Sequence, residues 1–434
     1  MNVSAAASAG HATSDAAMYG KVTWRLMPFL MLCYLVAYLD RVNIGFAKLQ
    51  MSSSLGFSET AYGLGAGLFF IGYFFFEVPS NLILHRVGAR VWIARIMITW
   101  GVLSACFAFV STPMHFYILR FLLGVAEAGF SPGVLLYLTY WYPAERRGKA
   151  TAFYFLAIPL SSVLGGPISG GIMSSIDGLH GLLGWQWLFL LEALPAVLLG
   201  IGALFYLDRG VAEAKWLDAD EKRRMLLALE RDKSASSEHH SLRGFLRDRN
   251  IWVLSASYFC CVMGIYALAF WVPTLIRSTG VADPFEIGLL TALPNLVAVV
   301  AIYLSGVSAD RNRKRRGYFM IAMVVGAIGL TLATVGPKGT TFAVLSLSVA
   351  AAGILSATSL FWVLPSALLS GMTAAAGIAF VNSVGNLAGF ASPYLVGWLN
   401  DRTHNAAFGM IAISIFLVIG ALIGLKLPAA RVNR

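Results

Sequence analysis

The chain has 434 residues, 58% hydrophobic and only 12% charged, a balance outside the soluble globular range. Several apolar stretches exceed eighteen residues, enough for a helix to cross a bilayer, whereas a membrane β-barrel would show weak alternating segments of about ten. The formal net charge of +11 would suit a polyanion partner, but the placement of the charges, taken up below, excludes nucleic acid.

In chain order, residues 1–23 form a tail, Ala- and Ser-rich at its start, without the basic-then-apolar pattern of a cleaved signal. Twelve spans follow, at 24–46, 58–83, 91–111, 114–140, 149–174, 183–207, 250–277, 284–309, 317–336, 340–370, 373–397 and 405–428. The expected fold is all-α, with twelve transmembrane helices in two pseudo-symmetric six-helix bundles, 24–207 and 250–434. Between them, 208–249 is a linker with an amphipathic helix. There Asp218-Ala-Asp220-Glu221 reads as a capping box, with Met225, Leu226 and Leu229 as an apolar stripe. A looser tether, Ser234 to His240, completes it, and the adjacent His239 and His240 are too few ligands for a metal site.

The first span holds an ionisable pair, Asp40-Arg41, and the fourth carries Arg120 and Glu127 seven residues apart, on one helix face. Charges in hydrocarbon need partners or a watery cavity and mark function by default. At about 1.5 Å per residue, Asp40 lies roughly 24 Å along the first span, and Arg120 at a similar height on the fourth, which runs the other way. An Asp40–Arg120 pair is therefore expected, with Glu127 as a separate acid near the midplane. Glu77 and Glu192 read as structural, the latter beside the interfacial Trp185-Gln186-Trp187. The four cysteines lie in apolar runs and read as core; no metal or other cofactor is expected.

The connections 83–91, 141–149, 208–250 and 310–317 hold twenty Lys and Arg, against Lys48, Arg277, Lys338 and Arg402 on the other side. The positive-inside rule then places the rich side and both termini in the cytoplasm. His85-Arg86, with Arg90 close by, recurs as Asp310-Arg311 at an offset of 225, and Gly166-Pro167 recurs as Ser392-Pro393 at 226. Two landmarks at nearly one offset imply a repeated half, a transporter pattern.

These loops and the six-plus-six spans resemble the major facilitator superfamily. Tyr38-Leu-Asp40-Arg41-Val-Asn43, Glu77-Val-Pro-Ser-Asn81, Arg120-Phe-Leu-Leu-Gly124-Val-Ala-Glu127-Ala-Gly129-Phe-Ser-Pro132-Gly133, Trp141-Tyr-Pro143 and Asn382-Ser-Val-Gly385-Asn386 look more narrowly like its anion:cation symporter branch. That resemblance implies a monomeric carrier of organic acids with protons in a bacterial-type inner membrane, among membrane lipids. It implies Asp40 and Glu127 as proton sites, Arg41 near substrate, and a cytoplasmic latch at His85, Arg86, Arg90, Asp310 and Arg311. The latch departs from the family's usual acid at His85.

Pocket walls are expected from both halves at mid-depth: Tyr38, Tyr73, Tyr266, Trp271, Asn295, Ser359, Trp362, Asn382 and Asn386, with Arg120 a second candidate for substrate contact. Ile158 stands where sugar-acid carriers of the branch are expected to place an amide, which leans toward an aromatic carboxylate or a tartrate-like diacid. The expected function is proton-coupled import of an organic anion by alternating access. Gly166-Pro167-Ile-Ser-Gly170-Gly171 also resembles a signature of proton-coupled exporters, so antiport, or anion exchange, is the alternative. An enzyme would need a nucleophile dyad or metal cluster at membrane depth, and none of the seven histidines is placed mid-span.

Overall fold

The computed structural model describes residues 3–235, 248–368 and 372–433. The side chains of His85, His239 and His240, and the tether beyond 235, lie outside the described residues. The N-terminal half comprises α1 (Val3–Leu55), α2 (Glu59–Val87), α3 (Ala89–Cys106), α4 (Pro113–Glu127), α5 (Phe130–Thr139), α6 (Ala144–Phe155), α7 (Ala157–Ser175) and α8 (Gly184–Tyr206). The linker helix is α9 (Ala219–Ala235). The C-terminal half comprises α10 (Arg249–Arg277), α11 (Pro284–Asn312), α12 (Arg315–Val335), α13 (Thr340–Phe361), α14 (Val363–Leu368), α15 (Met372–Asn386), α16 (Ala388–Thr403), α17 (Ala406–Gly424) and α18 (Ala429–Val432). Eleven stretches of the described residues are long and apolar enough to cross a membrane. Together α15 and α16 make the remaining crossing, so the all-helical, twelve-span expectation holds.

Several crossings are broken where the sequence reading had one continuous helix. The fourth splits into α4 and α5 at Ala128-Gly129, because Gly129 sits at φ 86°, a left-handed conformation open to glycine. The break frees the Ala128 carbonyl, which accepts from the Ser80 hydroxyl at 2.6 Å, and the Trp92 indole in turn donates to Ser80 at 3.0 Å. Every backbone group so released in hydrocarbon needs a partner. The fifth, tenth and eleventh crossings break at Leu156, Trp362 and Leu387. The connection expected at 141–149 is helical from Ala144, and α1 extends well beyond both expected ends of the first span.

The linker helix defines one face of the molecule. The capping box forms as expected: Glu221 N–H donates to Asp218 at 2.7 Å and Asp218 N–H to Glu221 at 3.0 Å. Met225 and Leu229 are buried, but Leu226 is exposed, so the stripe is narrower than expected. Lys21–Glu221 and Arg147–Asp232, both 2.9 Å, and Arg224–Asp15 at 3.3 Å tie α9 to the N-terminal half. The C-terminal Asn433 accepts from Arg316 N–H on this same face. Of the latch residues, Asp310 near the end of α11 pairs with Arg315 at the start of α12 at 2.8 Å, and Arg86 and Arg311 are exposed.

The two halves are sealed on the opposite, far face. There α7 packs on α11 and α2 on α16. An added Cβ on Gly166 would strike the Gly288 carbonyl, and one on Gly288 the Gly166 carbonyl. Small residues of this kind let membrane helices approach backbone to backbone. Polar bonds stitch the same rim. Asp401 accepts from the N–H groups of Glu59 at 3.1 Å and Thr60 at 2.7 Å, Ser174 donates to Asp283 at 2.7 Å, and Arg277 donates to the Leu49 carbonyl. Asn295 joins the halves nearer mid-depth, donating to the Ser162 carbonyl at 3.2 Å.

Candidate transport site

Asp40 and Arg41 are neighbours on α1, so their side chains leave the helix about 100° apart. They end in different surroundings. Asp40, 2% exposed, points into the N-terminal half and accepts from the Trp100 indole at 2.9 Å, from Ser104, and weakly from Asn43 at 3.4 Å. Arg41 points to the interface between halves and forms an ion pair with Glu127. Its guanidinium lies 5.3 Å from the Phe69 ring centre and 5.5 Å from that of Tyr73.

The expected Asp40–Arg120 pair is therefore not formed. Arg120 instead donates to the carbonyls of Ala66 at 3.0 Å and Gly65 at 3.4 Å, beside the Phe69 ring. Equal height on two helices does not fix which way each side chain turns, and Asp40 turns to α3. Glu127 is likewise not a separate acid. Its carboxylate is 2% exposed and bound to Arg41, whose side chain keeps 15% exposure. A paired carboxylate and guanidinium in low dielectric attract strongly, and either left alone would be costly.

The aromatic candidates divide. Tyr38 stands edge-on to Tyr34, which stacks on Tyr154 at 4.5 Å. The Tyr266 hydroxyl faces Arg41, and its ring packs on Phe70 at 4.4 Å. Trp362 packs on Tyr258 at 4.8 Å, and the Tyr258 ring also fills the space a side chain at position 385 would need, one residue before Asn386. Asn382 and Asn386 are half-buried on α15. Ser359 is exposed and takes no part in these contacts. Trp271 is a correction: fully buried, it lies under the Lys48 ammonium at 3.4 Å and edge-on to Tyr62 at 6.0 Å, inside the far-face seal rather than on a pocket wall. Asn295 commits its amide to the carbonyls of Ser162 and Thr291.

Three residues escaped the sequence reading. Lys48, counted there as a loop charge, is 3% exposed and paired with Glu59 at 2.6 Å. Its place seven residues beyond Arg41 was the available signal, since that spacing returns to one helix face. Glu192 is 6% exposed, not interfacial, and accepts from Ser169 at 2.7 Å. Asn43, quoted only as part of a motif, sits beside both Asp40 and Glu192. No group of His, Cys, Asp and Glu among the described residues could hold a metal ion.

Two six-helix halves closed at one rim around a buried ion pair and facing aromatics define a membrane transporter, not an enzyme. The chain belongs to the major facilitator superfamily, whose family description matches residues 30–393. It is 50% identical over 96% of both chains to a Pseudomonas putida protein named for metabolite transport, NicT. It is 46% identical to an Agrobacterium vitis protein named as a tartrate transporter, over 94% of each. A Quinolone resistance transporter of Acinetobacter baumannii is 40% identical over 93% of each chain. Among solved structures, a D-xylose–proton symporter superposes with a TM-score of 0.75 at 18% identity, covering 94% of this chain and 99% of that one. That likeness concerns the fold.

Proposed function

We propose that this transporter imports a small organic carboxylate together with protons across a bacterial inner membrane. The observation that carries the reading is the Arg41–Glu127 pair, buried at the junction of the halves with Tyr73 and Tyr266 beside it. A guanidinium holds its charge when buried and offers two parallel N–H donors to a carboxylate. While Glu127 is ionised it occupies that fork. A proton on Glu127 cancels the attraction and frees Arg41 for the substrate carboxylate, so proton and anion enter the site together. Ionisation of Glu127 on the proton-poor side restores the pair and displaces the anion.

The basic connections support a cytoplasmic linker face in this reading. The structure is then the state sealed to the outside, and uptake requires the Gly166–Gly288 rim to part while the opposite face closes. The relatives named for tartrate and metabolite transport support a small polar cargo. Aromatic rings around Arg41, together with Ile158 at the start of α7, favour an aromatic carboxylate or a compact diacid over a sugar acid.

The test is accumulation of labelled acids by proteoliposomes under an imposed pH gradient, acid outside. Accumulation that follows the gradient and collapses with a protonophore supports the reading. Uptake indifferent to the gradient but stimulated by internal anion would replace it with exchange, and efflux driven by the same gradient with antiport.

A further inference from the structure

Glu192 is a buried acid that the Arg41–Glu127 cycle does not use. It lies on α8, eight residues in from Gly184, and α8 packs against α1, α3, α7 and the turn at 107–109. From α8 itself, α7 and the 107–109 turn no other charged side chain is available. On α3 the charges are Arg90 and Arg95, both toward the linker face, with Arg95 over Trp92. On α1, Arg25 lies over Tyr206, Arg41 is bound to Glu127 and Lys48 to Glu59. The charged group that faces Glu192 is another acid, Asp40, with the Asn43 amide beside both. Arg120 reaches Asp40 electrostatically, but its N–H groups are bonded to Gly65 and Ala66.

The hydrogen bonds are unequal. Asp40 accepts from Trp100, Ser104 and Asn43. Glu192 Oε1 accepts from Ser169, while Glu192 Oε2 and Asn43 Oδ1 are buried with no donor among the described residues. Two acids facing each other in one apolar compartment, with no cation hydrogen-bonded to either, carry one charge between them at lower cost than two. The charge belongs where the donors are, on Asp40, and the proton where an oxygen lacks one, on Glu192.

We infer that Glu192 is a second proton-binding carboxyl of the N-terminal half, beside Glu127, and titrates as one unit with Asp40. Its second link is to the moving parts. Ser169, which donates to Glu192, lies on α7 between Gly166 and Gly170, the two glycines whose backbones press against Gly288 and Pro284 of α11. The ionisation of Glu192 is thus coupled to the helix that closes the far face. The inference extends the proton coupling proposed above but does not require that any particular acid be carried.

Infrared titration of the full-length protein in lipid nanodiscs, without substrate or gradient, tests it. A protonated-carboxyl band should persist through neutral pH in the wild type and in Glu127→Gln and vanish in Glu192→Gln. The midpoint of that band should fall by about one pH unit or more in Asp40→Asn, which removes the like charge. It should rise in Ser169→Ala, which removes a donor that steadies the ionised form. A band unchanged by Glu192→Gln, or a midpoint that Asp40→Asn leaves in place, overturns the inference. The two shifts in opposite directions serve where Glu192→Gln does not fold. Because no transport is measured, a band that behaves as stated alongside gradient-independent uptake would sink the proposed function and leave Glu192 standing.

Discussion

The Lys48 ammonium of the N-terminal half lies 3.4 Å from the ring centre of Trp271 in the C-terminal half, with Glu59 at 2.6 Å on its other side. A cation desolvated against an indole face is worth about 2 kcal/mol, and here it bridges the halves at the far rim. Trp271→Ala should remove that bridge while leaving the Lys48–Glu59 pair in place, shifting the population toward the state open at the far face. Spin labels at Ser53→Cys and Arg402→Cys, both exposed beside the rim, report it as a longer distance distribution. An unchanged distribution would mean that the backbone contacts alone hold the seal.

The acids of that rim are set not to answer to ordinary changes of pH. The Ser174 hydroxyl, against slight desolvation and with help from the Phe285 and Glu286 N–H groups, holds the Asp283 carboxyl below the usual range. Burial pushes Asp401 up, but the Thr60 side chain and the N–H groups of Thr60 and Glu59 outweigh it and hold it below as well. A depressed carboxyl stabilises the folded contact above its unfolded value of about 3.9 and loses that contribution as pH falls through the lower, folded value. The label distances should therefore stay constant as pH falls from about 7 to about 5 and lengthen only below about pH 4. Opening near neutrality would show that another group controls the rim.

Gly166 and Gly288 meet backbone to backbone, so a side chain there acts on one state of the cycle. Gly166→Val should be tolerated by the N-terminal half and exclude the sealed state, with overpacking of about 1–3 kcal/mol against it. Uptake should fall by at least about tenfold, 1.4 kcal/mol being one decade, with the label distance fixed at the long value. Wild-type uptake from Gly166→Val would remove this contact from the transport cycle.

The helical order, the two halves and the ionisable residues on α1 and α4 were legible because hydrocarbon leaves so few alternatives to a long apolar helix. The break after Ala128 could be read in part from Gly129, since a glycine followed by Ser131-Pro132-Gly133 marks where a helix can stop. Pairing was not legible. Rise along the axis placed Asp40 level with Arg120, but only packing against α3 determined that Asp40 turns to Trp100 while its neighbour Arg41 takes Glu127. The burial of Lys48 and Glu192 was not legible for a related reason. Each sits beside residues typical of a membrane boundary, and the length of α1 and the depth of α8 emerge only when the helices are assembled.

The different uses of Arg41 and Arg120 give the sharpest mutational contrast. Arg41 is held by an ionisable side chain, Glu127, whereas Arg120 serves two backbone carbonyls. Arg41→Lys keeps the charge but loses the planar fork, so carboxylate affinity should drop about tenfold, about 1.4 kcal/mol, with little change in melting temperature. Arg120→Met removes the buried charged donor that the Gly65 and Ala66 carbonyls accept in addition to their helical partners, at about 1.5–3 kcal/mol of stability, and should lower the melting temperature by a few degrees. The KM of its remaining uptake should stay within about twofold, since a uniform loss of folded carrier reduces rate and not affinity. Calorimetry and initial-rate uptake on the two variants separate the roles. Reversal of the pattern, with Arg120→Met weakening substrate affinity and Arg41→Lys only stability, would move the anion site from the interface between the halves into the N-terminal bundle.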